Sequence, residues 1–499
     1  MRRRCYYSCV IIGFMLIASA CSTGKKAFTP AHKYSADQLH SDFRLLREIL
    51  EKFHPSLYWY TPKDSMDYYF NKYDAAITDS MTQQQFGFRI LAPLTTRIRC
   101  GHTSFNYSKR YNTYMSGIQL PSFPLYMKIW NDTAVITTNL NHDDSILKRG
   151  VLVTGINGFS NRQIIDSLFQ FMPADGYAEN VNYIRLSAAF PYYHRNIFGL
   201  SRKYLVSYID SLGRPASTIV PWFDPYVDTL QKIPQPKIAE PGRKRLKKEN
   251  KENIRSFEID SAHALATITL NSFSGKGRLG NFFRRSFKTL RKDSVPNLVI
   301  DIRANGGGKI TNYTKLARYI RNTPFKVSDT AAAVKKKFGP YRKNFQSSFV
   351  NSFVLLLFTR KEEDGRYHFR YWENHSFRPR EKWHYNGKVY VLINGPTFSA
   401  STLFAHAVRG QENVKLVGEE AGGGWYGNSG IMIPDVILPI TRMRVRIPLF
   451  RIVQYKHVLK DGRGVEPDIF VPATVENIRK GIDGKMKAVE EMVEINNRP

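Results

Sequence analysis

Cysteine is scarce in this sequence, with four among 499 residues. Cys5 and Cys9 lie in a leader that we expect to be cleaved, so the mature chain would keep only Cys21 and Cys100. If Cys21 carries a lipid, no disulfide can form within the chain, and stability must come from packing. Hydrophobic residues make up 42% of the chain and aromatic residues 13%, which excludes a disordered protein and allows large cores in two to four domains.

The leader also lacks an apolar run long enough to span a bilayer. Its apolar part, residues 10–17, is much shorter than the roughly 20 residues that a spanning helix needs. Three arginines at 2–4 precede this run, and small residues at 18–20 follow it. This order is typical of a secretion signal, so we predict a signal peptide at 1–20.

The residues around the predicted cleavage point suggest a lipid anchor. Residues 17–21 resemble the lipobox of bacterial lipoproteins, although Ala18 stands where leucine is usual. The resemblance implies lipidation of Cys21, and ordinary signal-peptidase cleavage after Ala20 is the alternative. Residues 21–33 would then be a tether, and we expect a lipid-anchored protein of the cell envelope, on the periplasmic face of the outer membrane.

Acidic residues are few relative to basic ones, at 42 against 74, which gives a net charge of +32. The basic residues are concentrated in runs at 243–251, 284–292 and 335–343. Such a charge usually indicates nucleic acid. An exported protein does not normally meet nucleic acid, so we expect no such partner. Attraction to anionic lipid or acidic substrates, or simply solvated linker charge, fits better.

Local patterns divide the mature chain into regions of different type. Ser35 to Gln38 is a capping box followed by apolar residues at helical spacing. A hairpin signature at 125–138 is followed by a glycine-bounded strand, a combination that resembles half of a PDZ domain. The predicted fold is multidomain α+β: a helical N-terminal domain at 34–118, a PDZ-like domain with a helical insertion at 119–226, a basic linker at 227–256, an α/β core at 257–475 and a C-terminal helix at 476–499.

The turn at 394–401 follows the apolar run 389–393 and precedes apolar residues at helical spacing. This order predicts a strand, a tight turn and a helix, with Ser399 at the start of the helix. Free N–H groups and the positive end of the helix dipole there would favour a developing negative charge. The pattern suits a serine nucleophile, but a serine that only caps the helix is the commoner arrangement and the first interpretation of this turn alone.

A second turn, at 301–308, ends in three glycines after the apolar run 298–300. Glycines let the backbone approach a ligand closely and point its N–H groups inward. A phosphate site is not indicated, because neither a Walker lysine nor a G-x-G-x-x-G spacing is present. A flexible loop is the alternative interpretation.

Together these segments resemble the S41 peptidases, which include the tail-specific proteases and the tricorn-core proteases. Residues 298–308 resemble the D-L-R-x-N-x-G-G signature and 395–405 the S-A-S-x-x-x-A signature. Residues 417–424 and 464–469 continue the likeness in the same order. The resemblance implies a crotonase/ClpP-like core, with Ser399 as the nucleophile.

The resemblance also implies the other catalytic roles. The N–H of Ala400, with Gly306 or Gly307, would form the oxyanion hole. Tail-specific proteases use a lysine base at the position that Gly424 occupies here, and no lysine lies between 415 and 456. The other branch uses a histidine from its N-terminal region in a G-H-T motif, which His102 matches. An imidazole is also a suitable base near neutral pH.

An acid should orient that base. The position implied by the family is Asp461, three residues before Gly464, with Glu466 and Glu420 as competitors and a bystander role for all three equally open. Cys100, beside His102, suggests a thiol nucleophile, but no oxyanion-hole signature adjoins it.

The predicted function is a serine endopeptidase that acts by acyl transfer on polypeptides, without a metal or cofactor. The alternative is an inactive protein of the same fold that binds peptides or apolar ligands. A basic surface-binding protein is a third reading. The sequence does not indicate an oligomeric state.

Overall fold

The computed structural model describes residues 28–226 and 252–497 of the chain. The predicted signal peptide, Cys21 and most of the predicted linker lie outside these residues. Of the linker at 227–256 only the last five residues are described, and Arg255 already begins a strand. No helix within the described parts is long and apolar enough to cross a membrane.

Helices form most of the region 34–118. The first, α1 (Ala36–Phe53), begins with a capping box in which the Ser35 hydroxyl accepts the N–H of Gln38 and the Gln38 side chain accepts the N–H of Ser35. A π-helical turn, Gly87–Leu91, lies between the third and fourth helices. The remaining elements here are β1 (Lys33–Tyr34), α2 (Lys63–Ala75), β2 (Met81–Thr82), α3 (Gln83–Phe86), α4 (Ala92–Arg97), β3 (Ser104–Asn106) and α5 (Lys109–Met115).

The next region is an antiparallel sheet with two helices and its own hydrophobic core. Its elements are β4 (Leu125–Trp130), β5 (Thr133–Asn139), β6 (Leu152–Ile156), β7 (Phe159–Ser160), α6 (Asn161–Phe169), α7 (Asn180–Phe198), β8 (Lys203–Ile209) and β9 (Pro215–Pro221). The strand order is β4-β5-β6-β8-β9, and β7 pairs with β6. Helix α7 lies in the predicted insertion and is kinked at Ala189, near Pro191.

The second half of the chain is built on a six-stranded sheet. Its strands, in sheet order, are β10 (Arg255–Asp260), β11 (Leu265–Leu270), β12 (Asn297–Asp301), β16 (Lys388–Ile393), β17 (Val414–Gly418) and β22 (Ile469–Phe470). Strand β10 is antiparallel to β11, and the other neighbours are parallel. Strands such as β16, in which every residue after Lys388 is buried, are expected where helices cover both faces of a sheet.

Helices cover both faces of this sheet. The helices of the larger face are α8 (Leu279–Lys292), α9 (Ile310–Ala317) and α12 (Ala400–Val408), and they share one core with alternate strand residues such as Ile300 and Val391. The opposite residues, such as Val299 and Leu392, pack against the C-terminal helix α14 (Gly484–Asn497), which follows α13 (Val475–Lys480). Successive side chains of a strand point to opposite faces of the sheet, so an apolar strand presents apolar side chains on both faces and both need to be covered.

A second, five-stranded sheet and a three-stranded sheet connect this core to the N-terminal helices. Their elements are β13 (Ser328–Ala333), α10 (Ser348–Phe358), β14 (Arg360–Lys361), β15 (Tyr367–His368), α11 (Arg370–Asn374), β18 (Gly427–Gly430), β19 (Asp435–Ile437), β20 (Arg444–Arg446) and β21 (Phe450–Gln454). Strand β20 pairs with β3, and one buried core contains residues from both 34–100 and 331–450. The buried Asp42 of α1 accepts the N–H groups of Ile440 and Thr441 and the Thr441 hydroxyl.

Candidate active site

The turn before α12 is held by Thr397, whose side chain is fully buried. Its hydroxyl donates to the carbonyl of Ile302, 3.0 Å away, and accepts the N–H of Asn394, also at 3.0 Å. The N–H of Phe398 donates to the carbonyl of Asn305 at 3.1 Å. These bonds tie the turn after β16 to the turn after β12, so both predicted signature segments meet at one edge of the sheet.

Ser399 has backbone angles of φ 56° and ψ −121°, which a residue with a side chain rarely adopts. It is partly exposed, and its side chain forms no capping hydrogen bond with α12. The interpretation of Ser399 as a helix cap is therefore wrong. A strained, sharp turn that leaves the hydroxyl free is the arrangement expected of a nucleophile between a strand and a helix.

The glycine turn lies directly against Ser399. Gly307 has φ +98°, and a Cβ atom there would lie 2.8 Å from the Ser399 Cβ and 3.0 Å from the Ala400 nitrogen. Its N–H already donates to the Asn305 side-chain oxygen at 3.0 Å. Within the described residues, the N–H groups of Ala400 and Gly306 have no acceptor. Gly307 thus leaves room beside the serine, while Ala400 and Gly306 hold the unused donors.

His102 lies in the turn before β3, with its ring against Phe398, the neighbour of Ser399, at 4.7 Å between ring centroids. Its side chain is 9% exposed, and its buried Nδ1 has no hydrogen-bond partner in the described chain. Burial, with smaller contributions from the positive charges of Arg446 and Arg185, lowers the His102 pKa to about 3. The imidazole is therefore neutral in this structure and a weaker base than a solvent-exposed histidine, and the structure shows no hydrogen bond from it to Ser399.

The segment that carries His102 is fixed by a second buried histidine. His54 Nδ1 accepts the N–H of Ser56 at 3.2 Å, so its Nε2 carries the proton and donates to the Thr103 hydroxyl at 2.8 Å. Burial raises the pKa of the neighbouring Cys100 thiol to about 12. Cys100 therefore stays a protonated thiol, which argues against a thiol nucleophile.

The three acids considered from the sequence form their hydrogen bonds and ion pairs with residues other than His102. Asp461 is exposed and accepts the N–H of Arg463 at 2.8 Å. Glu420 accepts the N–H of Gly464 at 2.7 Å and an N–H of the Arg463 guanidinium at 2.9 Å. Glu466 is exposed, with Arg463 at 3.8 Å. The structure records no hydrogen bond between any of these acids and the imidazole.

A fourth acid, Asp175, was not predicted. It is 3% exposed and accepts the N–H of Gly101 at 2.7 Å and that of Gly424 at 3.4 Å. Burial raises its pKa to about 7. Asp175 therefore joins three segments: the turn of His102, the glycines after β17, and the loop between α6 and α7. No sequence pattern links these segments, and only the Pro173 to Gly176 turn residues mark the loop.

A cavity of about 320 Å³ opens beside Ser399. Most of its lining is apolar, but it also contains Lys309, an exposed lysine just after the glycines, and Asn428. Asn428 is almost fully buried, and its Nδ2 has no partner in the described chain. The lining residues are Gly308, Lys309, Ile310, Thr311, Trp372, Ser399, Ala400, Leu403, Asn428, Gly430, Ile431, Ile433 and Ile452. The cavity can accept an apolar side chain next to the hydroxyl.

Across residues 28–226 and 252–497, no group of three or more His, Cys, Asp or Glu is arranged to hold a metal ion.

Comparisons with known proteins place part of the chain near one peptidase family and relate its fold to solved structures. The model of Peptidase family S41 matches residues 264–471. No curated protein matches the sequence. The structure of mature CPAF complexed with lactacystin is similar with a TM-score of 0.63 and 12% identity, over 92% of this chain and 98% of that chain. A second structure of mature CPAF gives a TM-score of 0.62 at 12% identity, over 93% and 99% of the two chains.

At 12% identity this likeness shows a shared mixed α/β fold across almost the whole chain. The photosystem II D1 C-terminal processing protease gives a TM-score of only 0.38 at 14% identity, over 91% and 99% of the chains, and decides nothing about the branch. The family match covers both signature turns and Ser399. Residues 264–471 are therefore similar to the S41 peptidases, and 92% of the chain shares its fold with mature CPAF.

Proposed function

We propose that this protein is a serine endopeptidase of the S41 type, acting on polypeptides in the bacterial cell envelope. The observation that carries the proposal is Ser399: a serine with a strained backbone at a helix start, with no capping bond and an apolar cavity beside it. The S41 match supports a protease function. The unused N–H groups of Ala400 and Gly306 supply the donors that such chemistry needs.

In the proposed mechanism His102 takes the proton of the Ser399 hydroxyl as its oxygen attacks the scissile carbonyl. The N–H groups of Ala400 and Gly306 stabilise the oxyanion. The imidazolium then donates its proton to the leaving amine, and water releases the acyl group by the same steps. Catalytic contacts often tighten only when substrate binds. The His102 ring already contacts Phe398, the residue that precedes Ser399. Asp461 remains the acid suggested by the family, and it would have to approach Nδ1.

A fluorophosphonate probe and casein cleavage test the nucleophile. Ser399→Ala should abolish both labelling and cleavage and leave the melting temperature almost unchanged. Ser401→Ala is the matched control, because Ser401 lies on the same helix with a buried hydroxyl that has no partner. Retained labelling in Ser399→Ala would reject the assignment. Mature CPAF has been solved with lactacystin, so protection of Ser399 from the probe by lactacystin is a useful further measurement.

The base is tested separately. His102→Ala should slow labelling by at least roughly 100-fold if the imidazole is the base, whereas Lys309→Met should not. The reverse result would assign the proton transfer to the lysine beside the cavity. The second candidate is an inactive binder of the same fold, which would need no hydrogen bond between Ser399 and a base. That candidate predicts no labelling of the parent protein at all.

The envelope setting is also a proposal, supported by the predicted signal and lipobox. Labelled fatty acid should enter the parent protein and not a Cys21→Ala variant. Recovery of unlipidated parent protein from the soluble periplasm would support cleavage after Ala20 instead.

A further inference from the structure

Helix α10 exposes an unusual apolar surface. Its exposed large side chains are between 45% and 69% accessible, and they are Phe349, Val350, Phe353, Leu356, Leu357 and Phe358. At 3.6 residues per turn, the first five of these lie within about 120° of one another on the helix. Only Leu355 of this helix is fully buried. We call the face formed by 349, 350, 353, 356 and 357 the α10 face.

This helix is fixed to the protein, so its exposure is not that of a loose segment. The Phe358 ring stacks on Phe369 at 5.8 Å, and the N–H of Gln346, just before the helix, donates to the carbonyl of Asp435 at 2.8 Å. A helix that is apolar on its outer face is normally covered. A contiguous apolar patch of this kind marks an interaction surface.

Basic residues flank helix α10 on both sides in sequence, before the acidic residues at 362–364. Residues 335–361 contain seven lysines and arginines and no acidic residue. Lys336 donates to the carbonyl of Thr359 at 3.3 Å, which places the lysine run 335–337 beside the end of the helix. Arg342 and Lys343 precede the helix, and Arg360 and Lys361 follow it. Within the described chain, none of the seven forms a salt bridge.

We propose that the α10 face inserts into the interface of an anionic lipid membrane, with the surrounding lysines and arginines paired to lipid headgroups. Amphipathic helices with large apolar residues and a basic border bind such surfaces by combining apolar burial with charge attraction. A second copy of this chain is a poorer occupant, because two equally positive borders would face each other. The proposal is independent of the peptidase activity and of the lipid on Cys21.

Binding in this way would bring the Ser399 cavity close to the membrane. Phe369, which stacks on the helix, also contacts Trp372 at 6.0 Å between ring centroids, and Trp372 lines the cavity. The membrane would then be separated from the cavity wall by helix α10 and by the Phe369 and Trp372 side chains. Polypeptides at the bilayer surface would reach the cavity more readily than those free in solution.

Vesicle sedimentation tests the proposal with full-length protein in which Cys21→Ser prevents lipidation. The parent should bind vesicles of phosphatidylglycerol and phosphatidylcholine more tightly than vesicles of phosphatidylcholine alone. Changing Phe349, Phe353 and Leu357 together to serine should weaken binding to the anionic vesicles by at least roughly 100-fold. Changing Lys335, Lys337, Arg360 and Lys361 to glutamine should remove the preference for anionic lipid.

The matched control changes Leu212, Ile219 and Leu459 to serine, three equally exposed apolar residues elsewhere. This variant should bind like the parent. Phe353→Trp gives a direct readout, because its fluorescence should be quenched by brominated lipid. Equal binding by the parent and the α10 triple variant would overturn the proposal. The proposal would also be overturned if neither protein bound vesicles and the parent were a dimer that the triple variant converted to a monomer. That result would assign the α10 face to contact with a second copy of the chain.

Discussion

Asp175 makes the stability of the protein depend on pH in a direction opposite to that of most acids. Its carboxyl group is 3% exposed, and burial raises its pKa from 3.8 to about 7. A raised pKa means that the folded chain holds a proton that the unfolded chain has already lost. The stability that this group contributes is therefore fully present below about pH 4 and is lost as the pH rises to about 7.

The size of the effect follows from the shift. A change of about 3 pKa units at 1.36 kcal/mol each gives about 4 kcal/mol. Asp175→Asn carries no ionisable group but keeps an oxygen that can accept the N–H of Gly101. The difference in free energy of unfolding, variant minus parent, should therefore increase by about 4 kcal/mol between pH 4 and pH 8. Most of this increase should occur below pH 7.

Urea unfolding followed by tryptophan fluorescence, at half-unit steps from pH 4 to pH 8, measures this difference. Asp483→Asn is a control of opposite sign, because burial raises the Asp483 pKa but the hydrogen bonds and the charge of Arg303 outweigh it and keep that pKa low. Its stabilisation is lost only as the pH falls below about 4, so that variant should show a nearly constant loss from pH 5 to pH 8. Parallel profiles for the parent and Asp175→Asn would refute the reasoning, since they would mean that Asp175 is ionised in the folded chain throughout.

Three further predictions concern Ser399, Gly307 and Asp42. Ser399→Gly should abolish probe labelling yet raise the free energy of unfolding by about 1 kcal/mol, because glycine relieves the positive φ; a loss of stability would argue against strain. Gly307→Ala should reduce casein cleavage at least roughly 100-fold, because its Cβ would collide with Ser399, whereas Gly280→Ala, with room for a methyl group, should not. Asp42→Ala should lower the free energy of unfolding by about 3 kcal/mol or more, because the buried N–H groups of Ile440 and Thr441 lose their acceptor. Asp79→Ala, which removes a single exposed contact to the N–H of Ala36, should have a smaller effect in the same urea assay.

Sequence patterns found the features that local rules determine. The strand and helix around Ser399 follow from an apolar run, a Gly-Pro break and helical spacing, and the capping box at Ser35 is in place. The glycines at 306–308 follow β12 at the edge where the parallel strands end, so they meet the serine turn. Local rules do not decide whether a serine at a helix start caps it, and here Ser399 does not.

Other features depend on contacts between distant parts of the chain. Asp175 joins segments near 100 and 424, and no local pattern announces such a link. The cavity lining takes Trp372 and Asn428 from elements far from Ser399 in sequence. The composition of α10 would ordinarily indicate a buried helix, so its exposure could be learned only from the packing around it.

The core that α1 shares with residues near the other end of the chain has a consequence for biogenesis. Residues 34–100 pack on 331–450, so the early helices cannot complete their packing until most of the polypeptide has been made. During synthesis these helices would leave the ribosome well before the residues against which they pack. The turn that carries His102 is made early and Ser399 late, so the candidate site cannot be assembled until most of the chain has been synthesised.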